Sequence, residues 1–227
     1  MAIASDVHAI SLVSVPAAIS VNVFAIPEAE LSLVDAGIAG SLARIERGLA
    51  DLGRLLADVR RVVVTHGHPD HAGTAAELEA AGAEVCMHPA DFERLQVGVR
   101  DAVRRPSRGR IFASIVRPPT AIHPLEDGDV LPVLGGLQVV HTPGHTPGSI
   151  CLYAPRDRIL FTGDALQVQR GRVVFASRLY SDDYAAAKSS VRKMAALDVA
   201  TIVFAHYPPW TDGANEVLAA LARGAGH

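Results

Sequence analysis

Thr65-His66-Gly67-His68-Pro69-Asp70-His71 packs three imidazoles and a carboxylate into a single short stretch, directly after the apolar run Val62-Val63-Val64. A lone histidine usually packs or faces solvent, but three beside an aspartate at a strand end form a metal-ligand density. Residues 61–65 read as a short, β-branched, buried strand, and residues 72–81 as a helix stopped by Gly82. The cluster therefore sits on a strand-to-helix turn. His66 and His68 are two apart in an extended segment, so both side chains leave the backbone on one side and grip one ion. Asp70 and His71 follow after Pro69 turns the chain, and adjacent residues at a helix start diverge, which directs them to a second ion.

Working outward, residues 9–15, 20–26 and 31–34 are β-rich runs broken by Pro16, Pro27 and the Asp35-Ala36-Gly37 turn, an opening antiparallel meander. Residues 38–59 carry Ile38, Leu42, Ile45, Leu49, Leu52, Leu55 and Leu56 at helical period, which predicts one long helix lying on the sheet. After the cluster come a strand at 84–87 ending at His88-Pro89 and a helix at 90–103. Strands follow at 129–133, 137–140, 149–153, 158–161 and 173–175, then a helix at 182–197 capped by Asp182 or Asp183. A strand at 201–204 and a helix at 213–222 close the chain. There is no fixed-period repeat and no low-complexity linker, so residues 1–227 are expected to form a single domain.

A chain of 227 residues, 49% of them hydrophobic, can bury a full core. The formal charge of −3 supplies no global basic field for nucleic acid or an anionic membrane, so a small-molecule substrate is the expected partner. Arg94, Arg100, Arg104, Arg105, Arg108, Arg110 and Arg117 make one local positive excess. It reads either as a solvated surface or as a cap that attracts an anionic substrate. Cys86 and Cys151 belong to no CxxC pair and are expected as buried free thiols. The first sixteen residues have no basic n-region and no unbroken apolar span, so a cytoplasmic protein is expected. A monomer and a homodimer both stay open, since residues 111–116 fit a buried strand or an interface equally well.

Three later residues repeat the local character of the cluster, a ligand type at the end of an apolar strand. They are His145 in the Thr142-Pro143-Gly144-His145-Thr146-Pro147-Gly148 loop, Asp164 in Phe161-Thr162-Gly163-Asp164, and His206 in Val203-Phe204-Ala205-His206. With these motifs in this order the chain resembles the metallo-β-lactamase-fold superfamily over almost its whole length. Ser20-Val21-Asn22-Val23-Phe24 and Leu33-Val34-Asp35-Ala36-Gly37 look like that family's first strands.

The resemblance implies an α/β fold, a four-layer αβ/βα sandwich of two mixed sheets with helices outside. It assigns His66, His68 and His145 to a first metal, and Asp70, His71 and His206 to a second, with Asp164 bridging. A thiolate-free donor set suits Zn²⁺, with Mn²⁺ and Fe also compatible. The implied chemistry is hydrolysis by a hydroxide shared between two divalent ions, with Asp70 orienting it or taking up a proton. Thr65, Thr146 and Thr162 stand next to these ligands as candidate hydrogen-bond partners or as plain turn residues.

The β-lactamases proper carry a cysteine where this chain has Asp164, so the resemblance is to the thioesterase, lactonase and phosphodiesterase side, glyoxalase II-like and lactonase-like. Lactonases of this fold use a tyrosine three residues after the bridging aspartate; Gln167 stands there, with Tyr180 and Tyr184 as stand-ins. His88, Tyr180, Tyr207 and Trp210 are candidate substrate contacts, and His141 a further candidate near the site. The FTGDAL stretch also resembles the mononuclear iron persulfide dioxygenases of this fold, although their later glycine, cysteine and arginine pattern is absent. A phosphodiesterase or nuclease would need the arginine segment to track phosphates. A non-catalytic metal-binding protein has no physical need for a carboxylate bridging two ions.

Overall fold

The computed structural model describes residues 2–4, 6–14, 19–97 and 116–225, which fall into two compact units, Met1–Leu125 and Glu126–His227. No helix among the described residues is long and apolar enough to cross a membrane.

The first unit is built on a seven-stranded mixed sheet. β1 (Ala2–Ala4), β2 (Val7–Ser14), β3 (Ile19–Pro27) and β4 (Leu31–Val34) pair antiparallel. β4 then pairs in parallel with β5 (Val59–Val63), β5 with β6 (Glu84–Met87) and β6 with the short β7 (His123–Pro124). The meander and the apolar run at 84–87 are thus strands, the strand expected at 61–65 lies two residues earlier at Val59–Val63, and β1 is an addition that the sequence did not suggest. Parallel neighbours need a crossover, and α1 (Leu42–Ala50) supplies the one between β4 and β5, burying Ile45 and Leu49.

The long helix expected over 38–59 is only these nine residues. The chain turns at 51–53, adds a 3-10 turn at Leu56–Asp58 and enters β5, leaving Leu55 67% exposed. The apolar period runs on past the helix because leucines of irregular chain can fall on the same count without sharing its face.

The helix expected over 72–81 is likewise two short pieces, α2 (Pro69–Ala72) and α3 (Ala75–Ala80). The break falls at Gly73, where a Cβ atom would land 2.3 Å from the Pro69 carbonyl oxygen and 2.4 Å from the Ala39 nitrogen. Only glycine lets the two backbones approach this closely. α4 (Pro89–Val97) follows β6. The remainder of the helix expected to residue 103, the arginines from 100 to 110 and nearly all of the 111–116 run lie outside the described residues. Of the two flanking arginines, Arg94 is buried on α4 and Arg117 is exposed.

The second unit holds a five-stranded mixed sheet. Its order is β14 (Thr201–Val203), β11 (Ile159–Phe161), β10 (Ile150–Ala154), β9 (Leu137–His141) and β8 (Val130–Leu131), with only β11 and β14 parallel. A separate hairpin joins β12 (Leu166–Gln169) to β13 (Arg172–Phe175). The sequence pattern predicts β13 but not its partner. α5 (Tyr184–Met194) starts at Asp183, whose carboxylate accepts the Ala186 N–H at 2.9 Å, and α6 (Ala214–Gly224) ends the described chain. Val191, Met194, Val199, Ile202, Phe204 and Leu218 join β14, α5 and α6 in one apolar core.

Both cysteines are buried free thiols, Cys86 on β6 and Cys151 on β10. Burial pushes each thiol up to about 12, so at pH 8 neither offers the thiolate that reacts. An aromatic disulfide reagent at pH 8 is expected to leave the native protein unlabelled and to label both sites once denaturant is added. Rapid labelling of the native protein would show that one strand opens. Because the folded thiols ionise above the ordinary value of 9.0, their contribution to stability is complete below about pH 9 and is lost as pH rises towards about 12.

Candidate metal centre

In open sheets with parallel strands, ligand-binding residues collect just beyond the carboxyl ends of those strands. Both units follow this rule. Asp35 follows β4, residues 65–71 follow β5, Asp164 follows β11 and His206 follows β14.

In the first unit, His66 Nε2 and His68 Nδ1 approach to 3.1 Å. Two metal–nitrogen bonds of about 2.0–2.1 Å at a tetrahedral angle hold their nitrogens about 3.3 Å apart, so this spacing fits two imidazoles on one ion. The other nitrogen of His66 is oriented by Thr65, whose Oγ1 lies 3.2 Å from His66 Nδ1. Since the same hydroxyl donates to Asp35 Oδ1 at 2.8 Å, it has a lone pair left to accept the Nδ1–H, and Nε2 is left for a metal. His71 Nε2 lies 3.8 Å from Asp70 Oδ2, and the Asp70 side chain is partly exposed.

Asp35, which the sequence presents as a turn residue, belongs to this candidate site through its hydrogen bonds. Its backbone is in the left-handed region at φ 64°, which aspartate tolerates better than most residues. Oδ1 accepts both the Thr65 N–H and its hydroxyl at 2.8 Å, and Oδ2 lies 2.8 Å from His71 Nδ1. His71 and Asp35 are 0% and 1% exposed. A carboxylate at that distance requires the imidazole proton on Nδ1, which keeps the Nε2 lone pair for a metal. The only hint in the sequence was an aspartate directly after an apolar strand.

In the second unit, Asp164 stands between two imidazoles. Its Oδ2 is 3.5 Å from His145 Nε2 and its Oδ1 is 3.3 Å from His206 Nε2. Each carboxylate oxygen thus lies near a different imidazole. β11 and β14 run parallel side by side, which brings Asp164 and His206 to the same sheet edge.

His145 is held by the loop around it. Gly144, at φ 134°, sits so close to α5 that a Cβ would fall 2.0 Å from the Ala187 nitrogen. The Asp182 and Asp183 N–H groups donate to the His145 and Gly144 carbonyls at 3.1 and 2.9 Å, and Ser181 Oγ lies 3.4 Å from His145 Nδ1. At the far end of the loop His141 Nε2 donates to the Pro147 carbonyl at 2.9 Å, and Lys193 donates to the His141 carbonyl and to Asp127. His141 therefore buttresses the loop. Thr146 is engaged with Ser149, and Thr162 with the Val203 and Gly163 carbonyls, while Thr65 lies against the His66 ring.

The candidate substrate contacts take different places. His88 accepts the Ala90 N–H through Nδ1 at the start of α4. Tyr180 and Leu179, 41% and 54% exposed, ride on the 177–183 loop whose next residues grip His145. Tyr207 packs edge-on against Phe204, and burial together with the nearby Asp164 carboxylate raises its phenol above the ordinary value. Trp210 pairs its backbone with Ile202 and packs on the core of its unit. Gln167 is spent on the Phe175 carbonyl across the β12–β13 hairpin, and the Tyr184 ring lies under Arg178.

The sequence pattern of the metallo-beta-lactamase superfamily matches residues 17–206. The chain belongs to that superfamily. A metallo-beta-lactamase family protein from Thermus thermophilus, TTHA1429, aligns over 98% of this chain and 80% of its own, with a TM-score of 0.78 and 25% identity. The chain therefore has the α/β metallo-beta-lactamase fold, as the resemblance implied. TTHA1623, solved in a di-iron-bound form, aligns over 94% of this chain and 96% of its own, with a TM-score of 0.68 and 26% identity. Among curated metallo-beta-lactamase relatives, the acyl-coenzyme A thioesterase MBLAC2 of Homo sapiens is 39% identical over 119 residues, 46% of this chain. The aligned stretch spans only 40% of that thioesterase's length. Histidines and aspartates among the described residues are suited to holding metal.

Proposed function

We propose that the chain is a dinuclear metal-dependent hydrolase whose substrate is a small acyl thioester. His66, His68 and His145 hold one divalent ion in this reading, Asp70, His71 and His206 the other, and Asp164 bridges them. The observation that carries it is Asp164, with one oxygen at 3.5 Å from His145 and the other at 3.3 Å from His206. A mononuclear site needs no carboxylate with both oxygens so committed.

When bound, such a pair of ions lowers the pKa of water to about 7 and polarises a carbonyl oxygen. The chain's own residues do the rest. Asp70, partly open to solvent, takes the proton released as water adds to the thioester carbon. The C–S bond then breaks, leaving a carboxylate and a thiol that recovers a proton. Asp35 and Thr65 hold the ring nitrogens in the tautomer that binds metal. Leu179 and Tyr180, exposed beside the His145 loop, offer apolar surface to an acyl chain. The likeness to an acyl-coenzyme A thioesterase favours the thioester over the other esters, lactones and phosphodiesters open to this superfamily.

The test is elemental analysis of protein purified without added metal or chelator, followed by a substrate panel. The expected result is about two equivalents of divalent metal, most simply zinc, with thiol release from acyl thioesters that stops on chelation. Full metal content with turnover of lactones or phosphodiesters alone would replace the substrate class. About one equivalent of iron with oxygen uptake on persulfides would replace the reaction.

A further inference from the structure

A carboxylate taken wholly out of water needs strong hydrogen-bond partners to offset its lost hydration. Asp91, in the first turn of α4, is 0% exposed. Its Oδ2 accepts the Gly67 N–H at 2.7 Å, a short, charge-assisted bond across 24 residues of chain. Gly67 is the residue between His66 and His68. A Cβ built on Gly67 would touch the Asp91 Cβ, carbonyl oxygen and Oδ2 at 3.5 Å, so this peptide lies directly on the first turn of α4. That turn is itself set by the His88 carbonyl, which accepts the Asp91 N–H at 3.1 Å, and by His88 Nδ1, which accepts the Ala90 N–H. Arg94 follows one turn on and is buried as well.

We propose that Asp91 is a positioning residue: by holding the Gly67 N–H it fixes the His66–Gly67–His68 backbone and so the spacing at which the two imidazoles meet a metal ion. The 3.1 Å separation of His66 Nε2 and His68 Nδ1 depends on the two peptide planes that join these residues as well as on their side-chain torsions. Thr65 and Asp35 secure the chain before His66, and Pro69 opens α2 after His68. Between these anchors the Asp91 bond holds the middle. Residues that orient metal ligands from behind change affinity by about 10- to 100-fold when removed. The inference rests on His66 and His68 being metal ligands and not on which bond is hydrolysed.

The experiment is cobalt(II) titration of the metal-free protein, read by visible ligand-field absorption, for wild type, Asp91→Ala and Asp91→Asn. Asp91→Ala is expected to weaken the tighter cobalt site by about 10- to 100-fold. Asp91→Asn keeps an oxygen that accepts the Gly67 N–H and is expected to bind within about threefold of wild type. A folded Asp91→Ala protein with wild-type cobalt affinity overturns the proposal. If that variant does not fold, amide exchange at Gly67 in the metal-free wild type decides. Slow exchange upholds the bond, and exchange at the rate of an open amide overturns it. Wild-type cobalt uptake without thioester turnover would remove the substrate reading and leave Asp91 its role, whereas a wild type that takes up no cobalt removes both.

Discussion

Asp164→Ala is expected to lower kcat/KM by about a thousandfold or more and to release at least one equivalent of metal, while circular dichroism reports an unchanged fold. A thousandfold corresponds to about 4 kcal/mol of lost transition-state stabilisation. That size follows from geometry. Each carboxylate oxygen lies near a different imidazole, so one truncation removes a ligand from each half of the proposed pair. The fold should survive because the side chain is 22% exposed and lies beyond the end of β11, outside the apolar core. The metal-free proteins should melt within a few degrees of each other. The loaded proteins should differ more, since a ligand that binds only the native state adds stability. Undiminished turnover with full metal content would sink the bridging role.

Asp35 is expected to give the second large effect, and two variants separate its two duties. In Asp35→Ala the Thr65 N–H, the Thr65 hydroxyl and His71 Nδ1 lose their acceptor in a site from which water is excluded. Each buried group left unpaired costs about 1–3 kcal/mol. Alanine at φ 64° costs about 1–2 kcal/mol more. The metal-free variant should melt far below wild type. Asp35→Asn tolerates the backbone and still accepts from Thr65 through its oxygen, so most of that stability should remain. Its NH₂ now faces His71 Nδ1, which must accept, and the ring proton moves to Nε2 where a metal would bind. Metal affinity and kcat/KM should fall by about 10- to 100-fold with only a small change in melting. Equal losses of stability and affinity in both variants would mean that Asp35 is a packing residue and does not select the tautomer.

The two residues were not equally easy to read. Asp164 stood at the end of an apolar strand with His145 and His206 in similar contexts, and the order of these motifs suggested the superfamily that the comparison over residues 17–206 then established. Apart from its place directly after an apolar strand, nothing local distinguishes Asp35 from an ordinary turn aspartate, because its partner His71 is 36 residues away. Asp91 is harder still, since its significance lies in one backbone N–H belonging to a glycine. The helices show the same division. Asp183 caps α5 much as the local pattern suggested, whereas α1 ends at Ala50 although the apolar period continues to Leu56.

Local chemistry is written in neighbouring residues, so the HxHxDH cluster, the strands that deliver it and the ligand types at the later strand ends could be read directly from the chain. Register, helix ends and the partners that orient each imidazole depend on free energies summed over groups far apart in sequence. A period or a motif carries no record of those groups. The tautomer of His71 is set by Asp35, and the spacing of His66 and His68 is held through Gly67 by Asp91. Both were decided only when β4, β5 and α4 packed, because a hydrogen bond requires its two atoms within about 3 Å whatever their separation along the chain.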